Sequence, residues 1–132
     1  MAEANYLVGA IVVYIGVIVA QAVVANLRYD PKTLLGARDD FAPSDVHLLR
    51  ARRTLANFNE ALMIFAPLIL IAIVTQRTSQ LTEIGAALFF WGRLLYAPCY
   101  IAGVPVVRSV FWAVATLGSL LVLWEVLPFK NA

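Results

Sequence analysis

No charged residue interrupts the chain between Tyr6 and Leu27. A helix over that run, at about 1.5 Å of rise per residue, spans a hydrocarbon core about 30 Å thick. Composition points the same way: 62% of the 132 residues are hydrophobic, 14% are charged, and the mean hydropathy is +0.83. Soluble domains are about half apolar and about a quarter charged, so the chain reads as an integral membrane protein. A net charge of +2, scattered along the sequence, excludes a nucleic-acid binder. One cysteine, Cys99, excludes an internal disulfide, and with the single His47 it leaves no zinc site, so no metal is expected. The apolar N-terminal run has no basic segment before it and no small-residue cleavage site leading into a soluble domain. It is expected to stay as a helix and not to be removed as a signal.

The architecture expected is all-α: a single domain over 1–132 with four transmembrane helices at about 6–27, 55–75, 83–102 and 109–127. The polar connection 28–52 carries Arg28, Lys32, Arg38, Arg50 and Arg52 against Asp30, Asp39, Asp40 and Asp45. Ser44 or Asp45 is placed to cap the second long helix, which starts outside the membrane, and Pro67 is expected to kink it. Gly103-Val104-Pro105 is a tight break before the fourth span. Counted with Arg53 and Arg108, the side of the long connection holds seven of the ten basic residues. The positive-inside rule puts that side in the cytoplasm and both termini outside. Gln21 and Asn26 are read as hydrogen-bonding between helices. Gly9, Gly16, Gly85, Gly92 and Gly118 are read as points of close helix approach.

Polar residues within the apolar runs narrow the function. Arg53, Asn57 and Glu60 fall at i, i+4 and i+7, one face of the second long helix. Arg93, Tyr96 and Tyr100 fall at i, i+3 and i+7 on the third. Helix rise puts Glu60 and Tyr96 each about 10 Å from the cytoplasmic ends of their helices, with Arg93 about 15 Å and Tyr100 about 5 Å deep. Two polar faces at matching depth imply a shared pocket that opens toward Arg53 and Arg108. A charge in a span is costly, so Glu60 and Arg93 are expected to need each other or a ligand. The bland alternative for those two residues is an ion pair that only holds the bundle. It accounts less well for Arg53, Asn57 and Arg108 at the same end. Cys99 is read as packing, His47 as an exposed interfacial residue, and Trp91, Trp112 and Trp124 as packing and membrane anchors.

Arg53-x3-Asn57-x2-Glu60 resembles the signature of the MAPEG superfamily, membrane-associated proteins in eicosanoid and glutathione metabolism. Arg93-x2-Tyr96-x3-Tyr100, followed by Arg108-Ser109-Val110, is similar to its second signature region. The stretch Gly36-Ala37-Arg38-Asp39-Asp40-Phe41-Ala42-Pro43 is similar to the loop of bacterial members, which implies a bacterial inner membrane. The resemblance covers nearly the whole chain. It implies a homotrimer with glutathione, as co-substrate, between protomers in the cytoplasmic half. By position Arg53, Asn57, Glu60, Arg93, Tyr96 and Tyr100 match glutathione-binding residues. Arg108 matches the arginine that stabilises the thiolate, Ser109 the serine after it, and Arg28 an arginine that holds a glutathione carboxylate.

The chemistry of those side chains suits glutathione, which carries two carboxylates, an ammonium and a thiol. Arginines bind carboxylates bidentately, Glu60 can take the ammonium, and Asn57 and the tyrosines can satisfy peptide groups. The function so implied is a glutathione transferase, with possible peroxidase activity, acting on a lipophilic electrophile that arrives from membrane lipid. Ala61 and Tyr96 stand where other members carry tyrosine and histidine, which leaves the second substrate open. Two other readings remain: a non-catalytic glutathione- or lipid-binding protein of the same fold, and a small channel or transporter lined by Glu60 and Arg93. The first and fourth spans offer few polar residues to extend a path outward, which counts against the channel.

Overall fold

The computed structural model describes residues 1–36 and 44–131, and its regular structure is helical. In order these are α1 (Ala2–Arg28), α2 (Pro31–Leu35), α3 (Val46–Val74), α4 (Gln80–Ala102), α5 (Pro105–Val126) and a final 3-10 turn, Pro128–Asn131. Helices α1, α3 and α5 are each long and apolar enough to cross a membrane. Helix α4 is of similar length and touches all three, whereas α1 and α5 do not meet among the described residues. Most of the bacterial-type loop motif, 37–43, lies outside the described residues.

Helices α1, α4 and α5 begin before the spans read from the sequence, at Ala2, Gln80 and Pro105, and one short helix is additional. Helix α5 begins at Pro105, so Arg108 belongs to its first turn and not to the connection before it. Proline suits that position because its fixed φ is helical and its missing N–H has no partner there anyway. Helix α2 was not anticipated. Pro31 opens it, and the Asp30 side chain caps it by accepting from the Lys32 N–H at 2.9 Å. At α3 the cap is Asp45, whose carboxylate accepts from the Leu48 N–H at 3.0 Å, while the chain stays helical through Pro67.

Lipid is as apolar as leucine, so helices associate in it through close packing and hydrogen bonds. Phe65 stacks on Phe89 with centroids 3.8 Å apart, and Phe58 meets Phe89 edge-on. The tightest contact is α4 on α5. A Cβ on Gly85 would lie 2.6 Å from the Gly118 carbonyl oxygen, and one on Gly92 would lie 2.8 Å from the Ala115 nitrogen. Gly9 holds the Phe90 ring. Gly16 faces nothing within 4 Å, so it marks no helix contact within the protomer. Around it, Val8, Val12, Ile15, Val19 and Val23 form an exposed apolar skin along α1.

Each end of the bundle is fastened differently. At the end with the termini, the Thr82 hydroxyl donates to Glu3 Oε1 at 2.7 Å, which brings a buried carboxylate to the N-terminus of α4. Beside it, Arg77 Nη1 donates to the Val126 and Leu127 carbonyls at the C-terminus of α5, 3.1 and 3.3 Å away. Both charges complement the helix dipoles they meet. At the opposite end, the Tyr29 hydroxyl accepts from the Ser44 and Asp45 N–H groups at 2.8 and 3.0 Å.

Two predictions arise at that opposite end. Gly103 adopts φ +79, the left-handed conformation that closes α4, and a Cβ there would lie 2.7 Å from Arg50 Nη1. Gly103→Ala should cost about 1–2 kcal/mol, read as a lower unfolding midpoint in detergent. The two backbone donors at Tyr29, the Asp45 N–H foremost, favour the phenolate and hold its pKa below the usual value near 10. A depressed pKa in the fold stabilises only the ionised form. This contribution is therefore complete above pH ~10 and is lost as pH falls through the folded value. In an alkaline titration of tyrosinate absorbance, Tyr29→Phe should remove a phenol that ionises below the usual tyrosine value.

Candidate functional site

The fold carries the two polar faces to the end of the bundle that bears Tyr29 and Gly103. On α3, Asn57 is half-buried, while Arg53 and Glu60 flank it exposed. They share one helical face, and among the described residues Asn57 is the one of the three that hydrogen-bonds to α4. On α4, Arg93 is 1% exposed and its Nη2 donates to Asn57 Oδ1 at 2.7 Å. The ring of Phe58 lies 4.9 Å from the guanidinium and that of Tyr96 4.6 Å.

Of the two partners expected for Arg93 and Glu60, each other or a ligand, the protomer does not supply the first among the described residues. Arg93 is neutralised by no carboxylate among the described residues, and its Nε is enclosed without a partner. A cation in a span costs roughly 2.5–3.5 kcal/mol on insertion scales, and each aromatic face offsets about 0.5–2 kcal/mol of that. Two rings and one amide oxygen therefore do the work expected of an acid. Glu60, free of that task, is exposed at the protomer surface.

Tyr96 is buried and its ring lies 5.7 Å from that of Tyr100, tilted by 48°. The Arg108 guanidinium sits over the Tyr100 ring at 4.8 Å. Tyr96, Tyr100, Arg108, Ser109 and Trp112 line a cavity of ≈ 250 Å³ where α4 meets α5. Arg108 enters it because α5 starts at Pro105, which places residue 108 one turn up a rigid helix. The Ser109 hydroxyl donates to the Pro105 carbonyl of its own helix at 3.0 Å. Arg28 is exposed and reaches Asp45, with Nε 3.6 Å from Oδ2.

So the protomer joins Asn57 to Arg93 and Tyr96, and Tyr96 and Tyr100 to Arg108. Arg28, Arg53 and Glu60 project from the surface. A second cleft, of ≈ 370 Å³, opens between α1 and α3 and is lined by Tyr14, Gln21, Arg52, Leu55, Ala56 and Asn59. There the Tyr14 hydroxyl donates to Asn59 Oδ1 at 3.1 Å. Sequence reasoning missed it, although Gln21 was a signal. Gln21 lines this cleft, and the Asn26 amide donates to Ala22 of its own helix; among the described residues Asn26 makes no inter-helix hydrogen bond. His47 is exposed and Cys99 is a half-buried free thiol.

Comparison with known proteins gives one family model: that of the MAPEG family matches residues 4–127. No curated protein and no solved structure matches the chain.

Proposed function

This chain belongs to the MAPEG family, multi-pass integral membrane proteins built as four-helix bundles, and from that premise we propose that it is a membrane-embedded glutathione transferase. Members of the family typically bind glutathione and form trimers; most are glutathione-dependent enzymes and some are non-catalytic. In the reaction proposed, the glutathione thiolate attacks a lipophilic electrophile. A carbon–sulfur bond forms and the thiol proton goes to water; the electron pair leaves with a departing group or, where the electrophile carries none, its C–O or π bond opens and the adduct takes a proton from water.

The observation that carries this reading is the set of charges at one end of the bundle. Arg53 and Glu60 stand exposed beside the Asn57–Arg93 pair, and Arg108 stands over Tyr100 in the adjoining cavity. Cations at one end of the bundle, with Arg108 held over the Tyr100 ring, suit a dianionic peptide whose sulfur must lose a proton. Arg108 is assigned the thiolate, Glu60 the ammonium, and Arg28 and Arg53 the carboxylates, with Tyr96, Tyr100 and Ser109 lining the site. Exposed half-sites suit completion by a neighbouring protomer in a homotrimer. The basic end is assigned to the cytoplasm of a bacterial inner membrane.

The Ser109 hydroxyl, spent on its own helix, favours the second reading, a binding protein without chemistry. Ultraviolet titration of the thiolate in the glutathione complex separates the two. A transferase should hold the bound thiol well below its free pKa of ~8.5, whereas a bound thiol that titrates like free glutathione would support the non-catalytic reading.

A further inference from the structure

Arg93 is too enclosed to meet a ligand, yet it touches a residue that can. Arginine has donors and no acceptor, so the Asn57 atom 2.7 Å from its Nη2 must be the amide oxygen. Arg93 is held in turn by the rings of Phe58 and Tyr96 on two long helices, at 1% exposure. The Asn57 Nδ2 hydrogens then point away from Arg93. They make no hydrogen bond among the described residues, and Nδ2 is not among the enclosed unpaired atoms. A half-buried amide left to itself can present either end; this one cannot.

We propose that Arg93 is a positioning residue which locks the Asn57 amide, so that Asn57 offers a donor and selects a carboxylate or carbonyl oxygen of the ligand. The proposal rests on the reading of this face as a glutathione site. It reassigns Arg93 from ligand contact to support, and it fixes the sign of the Asn57 contact.

The order of effects at Asn57 tests it, with glutathione as the probe in equilibrium dialysis against detergent-purified protein. Asn57→Asp keeps an oxygen toward Arg93 but replaces the outward donor with a charged acceptor. It should weaken binding more than tenfold, and more than Asn57→Ala does. A purely structural role predicts the opposite order, because aspartate has the same shape and pairs more strongly with Arg93. Arg93→Met should weaken binding several-fold, with little further loss when Asn57→Ala is added. Additive losses would mean that Arg93 meets the ligand itself, and would overturn the proposal.

A ligand-free measurement keeps this separate from the functional reading. The Asn57 side-chain amide resonance should shift in Arg93→Met and return partway in Arg93→Lys. If native protein binds no glutathione but the resonance moves as stated, the functional reading fails and the amide lock stands. An unmoved resonance in a folded Arg93→Met variant overturns the lock. Should Arg93→Met not fold, Arg93→Lys and the Asn57 order decide.

Discussion

Arg108→Ala is expected to lower glutathione conjugation at neutral pH on the order of 100-fold, the loss typical when one group that stabilises a developing anion is removed. A free thiol with a pKa of ~8.5 is only about 3% ionised at pH 7, so any catalyst of this reaction must favour the thiolate. In the cavity lined by Tyr96, Tyr100, Ser109 and Trp112, Arg108 is the one cation among the described residues. It is also held: its guanidinium lies 4.8 Å from the Tyr100 centroid, on the first turn of α5. The deficit should shrink as pH rises past ~8.5, where the thiol ionises unaided, while glutathione affinity changes far less than turnover. Arg108→Lys, which keeps the charge but not the planar face, should fall between. Turnover of a chromogenic electrophile measured across pH checks all three. A deficit that stays constant up to pH 10 would show that Arg108 does not act on thiol ionisation.

The largest loss of stability is expected from Gly118→Ala. A Cβ there would run into the Gly85 carbonyl oxygen and lie 2.8 Å from the Phe89 nitrogen. Both are backbone atoms of α4 and cannot turn aside as a side chain can, so relief requires the helices to part. Overpacking of this kind costs about 1–3 kcal/mol, and the upper half of that range applies because nothing flexible lies in the way. The control is Gly16→Ala, where the added methyl meets nothing within 4 Å. It should be neutral, or stabilising by up to about 1 kcal/mol through helix propensity. Denaturant titration in detergent compares them, and equal midpoints for the two variants would contradict the packing account.

The apolar runs made the long helices legible, because lipid tolerates few polar residues outside special positions. The Arg53, Asn57 and Glu60 spacing made one face of α3 legible for the same reason. Partner choice was less legible. Opposite charges suggested Glu60 for Arg93, but a guanidinium also accepts ring faces and an amide oxygen, and sequence spacing cannot rank these. The α5 start at Pro105 depends on a local rule that was open to use, yet Gly103-Val104-Pro105 read only as a break. The α1–α3 cleft had little signal, since Tyr14, Arg52 and Asn59 come together only once two helices are packed. Gly16 and Gly118 look alike in sequence, and only packing separates a glycine at a contact from one facing outward.

The bond between Thr82 and Glu3 has a consequence for biogenesis. Its partners lie 79 positions apart, so the acid at the head of α1 emerges from the ribosome long before its hydroxyl partner. Until α4 arrives, Glu3 has water or lipid headgroups for company. The α1 segment can therefore enter the bilayer early and pack on α3 through Leu7 and Ala10, but the Glu3 hydrogen bond at its first turn forms only when α4 is threaded. Final docking of the first helix is thus a late event, and Glu3→Gln would leave early insertion intact while slowing the closing step.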